Sequence, residues 1–116
     1  MKKLSDYLEY PLTIDGSGED PGFTIVVDGL SGCVTESPDE KGIDDWARSV
    51  FVDYADAIFH MKKTIPPAPK NRENKRTLKL PVVLALKIML HNELNTQGIS
   101  KAELARRLGK IGRAHV

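Results

Sequence analysis

The hydrophobic period of the sequence changes once in the first half of the chain, and this change sets the fold class. Up to Thr35, every second residue of segments 8–14 and 23–27 is apolar, as in strands that bury one face. From Ile43 onward they recur at spacings of three and four, which is typical of an amphipathic helix. Because a small antiparallel sheet is not stable alone in water, the helix is expected to cover one face of it. The pattern predicts an α+β fold.

Three strands are predicted before the helix, and they are joined by clusters of turn-forming residues. The strands cover residues 8–14, residues 23–27 and the short segment 33–35. The connections, residues 15–22 and 28–32, are rich in Gly, Asp and Ser. Tight connections of this kind are typical of an antiparallel meander.

The predicted helix carries an apolar stripe that we expect to be buried against the sheet. Its members are Ile43, Trp46, Ala47, Val50, Phe51, Tyr54, Ile58 and Met61. Ser37 and Glu40 have the spacing of a capping box, with Pro38 at the first helical position. Gly42 is a poor helix former, so the long helix is expected to begin near Ile43.

Prolines and a polar run separate the two halves of the chain. Residues 64–75 cannot continue a helix and offer little to bury, which predicts a linker or domain boundary. Residues 76–80 alternate again, as a short strand or an extended arm. A helix then opens at Pro81 and ends at Gly98, and Ser100 is the expected N-cap of a second short helix.

These features predict a domain at residues 1–69, a linker at 70–79 and a small helical domain at 80–116. Residues 1–69 hold 6 Lys/Arg against 13 Asp/Glu, a net charge of −7. Residues 70–116 hold 11 Lys/Arg against 3 Asp/Glu, a net charge of +8. The basic half is therefore a candidate for nucleic-acid binding. The alternative is that the two halves neutralise each other within one fold or across a dimer.

The sequence offers no pattern for catalysis, a metal or a cofactor. The three histidines are far apart and Cys33 is the single cysteine, so metal-ligand spacing is missing. Cys33 is expected to be a small buried hydrophobe. No apolar run has the length of a membrane span, and the first residues lack the apolar core of a signal peptide. A lone cysteine fits a reducing compartment, so the expected location is cytoplasmic.

The basic segment fits two DNA-binding geometries, of which the first is a helix-turn-helix. The helix ending at Gly98 would pack against the next one, with Lys101, Arg106 and Arg107 facing phosphates. A recognition helix would follow Gly109, where only seven residues remain. We therefore expect this domain to be incomplete at its C-terminus.

The second geometry is a ribbon-helix-helix built on residues 76–80. Thr77 and Lys79 would project from a dimeric two-stranded ribbon into the major groove, with Leu78 and Leu80 facing inward. The alternative is a solvated linker that happens to be basic.

Several of these segments together resemble the HicB antitoxins. The resemblance rests on Tyr10-Pro11, on residues 22–35 with their Leu30-Ser31-Gly32-Cys33 turn, on the long helix and on residues 65–69. Residues 80–109 are similar to the C-terminal DNA-binding domain of the helix-turn-helix HicB subgroup. The family usually has Asp-Leu-Pro-Gly-Cys where this chain reads Gly29-Leu30-Ser31-Gly32-Cys33.

The resemblance implies a partial RNase H-like N-terminal domain that binds and neutralises a HicA-like toxin, which is a basic mRNA interferase. It implies a C-terminal domain that represses its own operon by binding operator DNA. No catalysis is implied, and a homodimer or tetramer is expected because half-sites are read in pairs. One alternative is a stand-alone DNA-binding regulator with a ligand-sensing N-terminal domain. Another is a weak hydrolase that would use Asp15 or Asp28.

Overall fold

The computed structural model describes residues 3–16, 22–70, 75–98, 100, 102–103 and 105–106. These residues form a four-stranded antiparallel sheet and two long helices, which confirms the α+β class. In chain order the elements are a 3-10 helix at Leu4–Tyr7, β1 at Glu9–Asp15, β2 at Phe23–Val27, β3 at Val34–Ser37, α1 at Ile43–His60, β4 at Thr77–Lys79 and α2 at Val82–Gln97.

The sheet has the strand order β3-β2-β1-β4, and all its pairings are antiparallel. The three N-terminal strands form the predicted meander: β2 has the predicted bounds, and those of β1 and β3 are shifted by one or two residues. The fourth strand comes from the segment predicted as a short strand or arm, and Tyr10 of β1 lies opposite Leu78 of β4. The sheet therefore joins both halves of the sequence.

The core lies between one face of the sheet and the two helices. Because side chains alternate along a strand, Leu12, Ile25 and Val27 share the buried face. On α1 the buried residues Ala47 and Phe51 recur at the spacing of one helical face. Further members of this buried cluster are Tyr7, Tyr10, Leu30, Cys33, Ile43, Ala55, Ile58, Ile65, Ala68, Leu78, Leu80, Ala85 and Ile88.

Two details at the start of α1 differ from the sequence expectation. The helix begins at Ile43, as its glycine predicted, but Ser37 forms no capping box: it ends β3, and its hydroxyl donates to the Asp39 carbonyl at 2.6 Å. Trp46 is 46% exposed and therefore does not belong to the buried stripe.

The proline-rich segment after α1 is buried in part, so the expectation that it offers little to bury is wrong. Ile65 and Ala68 are buried in the core. The Tyr10 hydroxyl donates to the Pro66 carbonyl at 2.6 Å, and Ala68 N–H donates to the Asp6 carbonyl at 2.7 Å. These bonds hold an extended segment against the sheet and the 3-10 helix.

The second helix ends as its sequence predicts. Gly98 has a left-handed φ of 67°, which places it as the C-terminal cap of α2. The Ser100 hydroxyl then accepts the Glu103 N–H at 3.1 Å, which is the predicted N-cap bond. At its other end α2 contributes Ala85 and Ile88 to the same buried cluster as the sheet. The predicted division at 70–79 stays a prediction, although β4 lies inside that range.

Candidate interaction surfaces

The predicted DNA-contacting residues of the ribbon geometry lie on β4. Thr77 is half-buried and Lys79 is exposed, and both point to the face of the sheet opposite the core. Leu78 and Leu80 point inward and are buried, as that geometry required. Within the described residues β4 pairs only with β1 of the same chain, and its other edge is the end of the sheet.

The residues of the helix-turn-helix geometry lie beyond α2. Arg106 is exposed and forms an ion pair with Glu103 one turn away. Lys101 and Arg107 lie outside the described residues. Since α2 has 16 residues, it separates Arg106 from β4 by about 24 Å of helix at about 1.5 Å per residue. Arg106 and the two β4 residues Thr77 and Lys79 therefore lie beyond opposite ends of α2.

Two cations of the basic half pair with carboxylates of the acidic half. Lys75 Nζ lies 2.6 Å from Asp28 Oδ2 and donates to Thr13 Oγ1 at 3.0 Å. The Thr13 hydroxyl donates to the other Asp28 oxygen at 2.7 Å, which closes a three-residue network. Arg76 Nε lies 3.2 Å from Asp44 Oδ1. Neutralisation within one fold therefore accounts for part of the opposed charges, a role for Lys75 and Arg76 that the sequence did not reveal.

Most carboxylates of the N-terminal half stay at the surface. Between residues 9 and 60 the structure describes eight exposed carboxylates and only two cations, Lys41 and Arg48. The carboxylates are Asp15, Glu36, Asp39, Glu40, Asp44, Asp45, Asp53 and Asp56. At neutral pH this surface carries a negative field that attracts a basic partner and repels nucleic acid.

A groove of about 740 Å³ lies between the proline-rich segment and α2. Its lining is mainly apolar, including Ile65, Pro66, Met89 and Leu90. Asn92 stands in its wall, and both ends of its side-chain amide are bonded to the backbone of Ile65, at 2.8 Å each. The groove has the size of a small-molecule site, but its polar wall is already occupied by bonds within the chain.

Cys33 and His91 are packed within the fold, whereas His60 is at the surface. Cys33 is fully buried, and burial raises the pKa of its thiol to about 11, so it is not a thiolate at neutral pH. The ring of His91 packs on Phe59 with centroids 4.5 Å apart, and its Nε2 lies 2.6 Å from the Lys63 carbonyl. His60 is exposed beside Asp56 on α1. Among the residues that the structure describes, no three metal-ligating side chains lie together.

No protein-family model matches the chain, and no curated protein matches it. In the described part of the chain, neither helix combines the length and the apolar character that a membrane crossing needs.

Proposed function

We propose that this chain is an antitoxin of the HicB type, which neutralises a small basic ribonuclease toxin and represses its own operon. The observation that carries the proposal is the distribution of charge. Exposed carboxylates outnumber cations between residues 9 and 60, while residues 70–116 are strongly basic. A protein that binds a basic partner at one end and DNA at the other needs this arrangement.

The N-terminal part is proposed to be a partial RNase H-like domain. Its support is the order β1, β2, β3 and α1, with antiparallel pairing and α1 packed over β2 and β3. The acidic surface would bind a HicA-like mRNA interferase and cover the face with which that toxin holds RNA. No catalytic role is proposed, since Asp28 is engaged by Lys75 and Thr13.

The C-terminal part is proposed to bind operator DNA, in a cytoplasmic homodimer or tetramer. A helix-turn-helix is supported by the left-handed Gly98 and the Ser100 cap, which redirect the chain after α2. A ribbon-helix-helix is supported by the shared outward face of Thr77 and Lys79. In both geometries cations contact phosphates and supply most of the affinity.

Co-expression with the small open reading frame adjacent to this gene tests the proposal. Rescue of host growth together with a stoichiometric complex is the expected result. If the chain represses the operon, the complex or the chain itself should retard DNA from upstream of the operon in a gel-shift assay. A neighbour that is harmless alone, or that stays toxic and unbound, contradicts the antitoxin proposal.

The second candidate is a DNA-binding regulator whose N-terminal half senses a small ligand. The groove of about 740 Å³ between the proline-rich segment and α2 favours it, because it has the size of a ligand site and is lined by the helix that precedes the basic segment. A thermal-shift screen of metabolites separates the two candidates. A ligand that raises the melting temperature and changes operator affinity supports the regulator.

A further inference from the structure

The outer edge of β3 is one end of the sheet that the described residues form. Val27 N–H donates to the Cys33 carbonyl at 3.0 Å, and hydrogen-bonding direction alternates along a strand. The backbone groups of Val34 and Glu36 therefore point away from β2. Val34 N–H turns to the Gly32 carbonyl at 3.2 Å, which leaves the Val34 carbonyl and both groups of Glu36 facing the open edge. Outward-facing backbone N–H and C=O groups of this kind can pair with a strand of another chain.

Exposed apolar side chains lie beside this edge. Val34 is 47% exposed and Trp46 is 46% exposed. Trp46 Cδ1 and Ser37 Oγ both lie within 3.2 Å of the position that a Cβ on Gly42 would take, so the indole stands at the end of β3. Tryptophan is among the side chains that contribute most to protein–protein interfaces when they become buried. In the part of the chain that the structure describes, the edge thus combines unpaired backbone groups with an exposed tryptophan.

The charge around the edge selects a basic occupant. Residues 34–53 hold six carboxylates against two cations, a net charge of −4. One of these carboxylates, Asp44, is already paired with Arg76. Glu36, Asp39 and Glu40 are exposed on β3 and in the turn after it. An approaching strand therefore meets a negative rim, which favours a positively charged partner.

The opposite end of the sheet lacks these properties. The strand β4 has three residues, and Lys79, whose backbone also faces outward, is exposed there. Short edge strands with an exposed lysine resist pairing with other chains. The contrast assigns docking to β3 rather than to β4.

We propose that β3 and Trp46 form the site at which this chain captures an extended strand of a small basic protein. The partner strand pairs with the backbone of Glu36, and one of its apolar side chains covers Trp46. The inference rests on the proposed function, and it specifies which surface of the acidic half holds the basic toxin.

Trp46 is the single tryptophan of the chain, so its fluorescence reports on the site directly. We expect a blue shift of its emission when the purified full-length chain is titrated with the co-expressed neighbouring protein, in its catalytically inactive form. Trp46→Ala should weaken the complex by about 10- to 100-fold. Glu36→Pro should weaken it by at least about 10-fold, because proline removes the outward N–H and leaves the bonds to β2 in place.

Matched variants control for general damage. Val52 lies on the same helix and is also 46% exposed, so Val52→Ala should bind like the unmodified chain. Lys79→Pro removes the corresponding outward N–H at the other end of the sheet and should also leave partner binding unchanged. Circular dichroism and urea unfolding confirm that all four variants are folded.

The outcomes separate the edge proposal from the proposed function. Tight binding with unchanged Trp46 emission, and with Glu36→Pro binding normally, overturns the edge proposal and leaves the antitoxin proposal in place. Failure of the unmodified chain to bind the neighbouring protein overturns both. If the emission of Trp46 shifts to the blue as the concentration of the chain alone is raised, a second copy of the chain occupies the β3 edge. That result contradicts the proposal that the occupant is a basic protein.

Discussion

The side-chain amide of Asn92 pairs with both backbone groups of Ile65, although the two residues are 27 positions apart. Its Oδ1 accepts the Ile65 N–H at 2.8 Å, and its Nδ2 donates to the Ile65 carbonyl at 2.8 Å. The amide also donates to the Tyr7 hydroxyl at 3.2 Å. The Asn92 side chain thereby satisfies the two backbone groups of Ile65, as a neighbouring strand would do in a sheet.

Asn92→Ala should destabilise the fold by about 2–4 kcal/mol, because it leaves the backbone groups of buried Ile65 without partners. Urea unfolding measures the change. Thr96→Ala is the control, since the exposed Thr96 hydroxyl donates only to the Asn92 carbonyl, within the helix. Its effect should stay within about 0.5 kcal/mol. Equal effects of the two variants would contradict a structural role for the amide pair.

Two glycines with left-handed φ angles differ in their surroundings. Gly29 has a φ of 86°, and a Cβ there would lie 2.9 Å from Pro69, whereas Gly32, with a φ of 79°, has nothing within 4 Å of that position. Gly32→Ala should cost about 1 kcal/mol from backbone strain alone. Gly29→Ala should cost about 3 kcal/mol because the clash adds to the strain. Thermal unfolding of the two variants measures the difference. An equal loss of stability would show that Pro69 moves aside at little cost in free energy.

Lys62 should be replaceable by glycine with a gain in stability. It follows α1 with a φ of 55°, and Lys63 N–H donates to the Ile58 carbonyl at 3.2 Å, which is the bond pattern of a helix end that favours glycine. Lys62→Gly should stabilise the fold by about 0.5–1 kcal/mol. Lys63→Gly, one residue on, should bring no gain in the same urea titration.

The thiol of Cys33 should be unreactive in the folded chain. With its pKa raised to about 11, only about one thiol in a thousand is ionised at pH 8. An aromatic disulfide reagent should therefore react at least about 100-fold faster after unfolding in urea, where the thiol regains its ordinary pKa and its access to solvent. Rapid modification of the folded chain would contradict this burial.

The same pKa shift makes stability depend on alkaline pH. The folded state holds the Cys33 proton more tightly than the unfolded state, whose thiol has a pKa near 9.0. The contribution of the Cys33 thiol to the free energy of unfolding is therefore complete below about pH 9 and is lost as the pH rises towards 11. Cys33→Ala should flatten the decline in the free energy of unfolding over this range. An unchanged slope would assign the decline to other groups.

The two DNA-binding geometries predict that different substitutions will change DNA binding. Arg106→Ala should lower the slope of log affinity against log salt concentration by about one in a helix-turn-helix, because one phosphate contact is lost. Lys79→Ala should change operator specificity only if β4 reads the major groove. Quantitative gel shifts at several salt concentrations measure both, and Arg48→Ala in the acidic half is the control that should change neither.

Several secondary-structure elements and helix caps could be predicted from short stretches of sequence. The alternation of β2, the helical spacing of α1 and the left-handed cap at Gly98 depend on neighbours within a few residues, and the structure confirms each of them. The Ser100 cap belongs to the same group. Periodicity and capping chemistry are properties of a short segment, so the sequence alone determines them.

Long-range relationships were decided only in the folded chain. Nothing near residues 76–80 indicates that β4 pairs with β1, because that pairing depends on how the proline-rich segment returns to the sheet. The exposure of Trp46 was not predicted either, since helical spacing makes it a member of the apolar stripe but does not say where the sheet ends. The sequence by itself determined the three N-terminal strands, the two long helices and how charge divides between the halves. The tertiary structure decided which edge stays open, which cations are neutralised and which apolar side chains meet solvent, because burial depends on contacts between residues far apart in the chain.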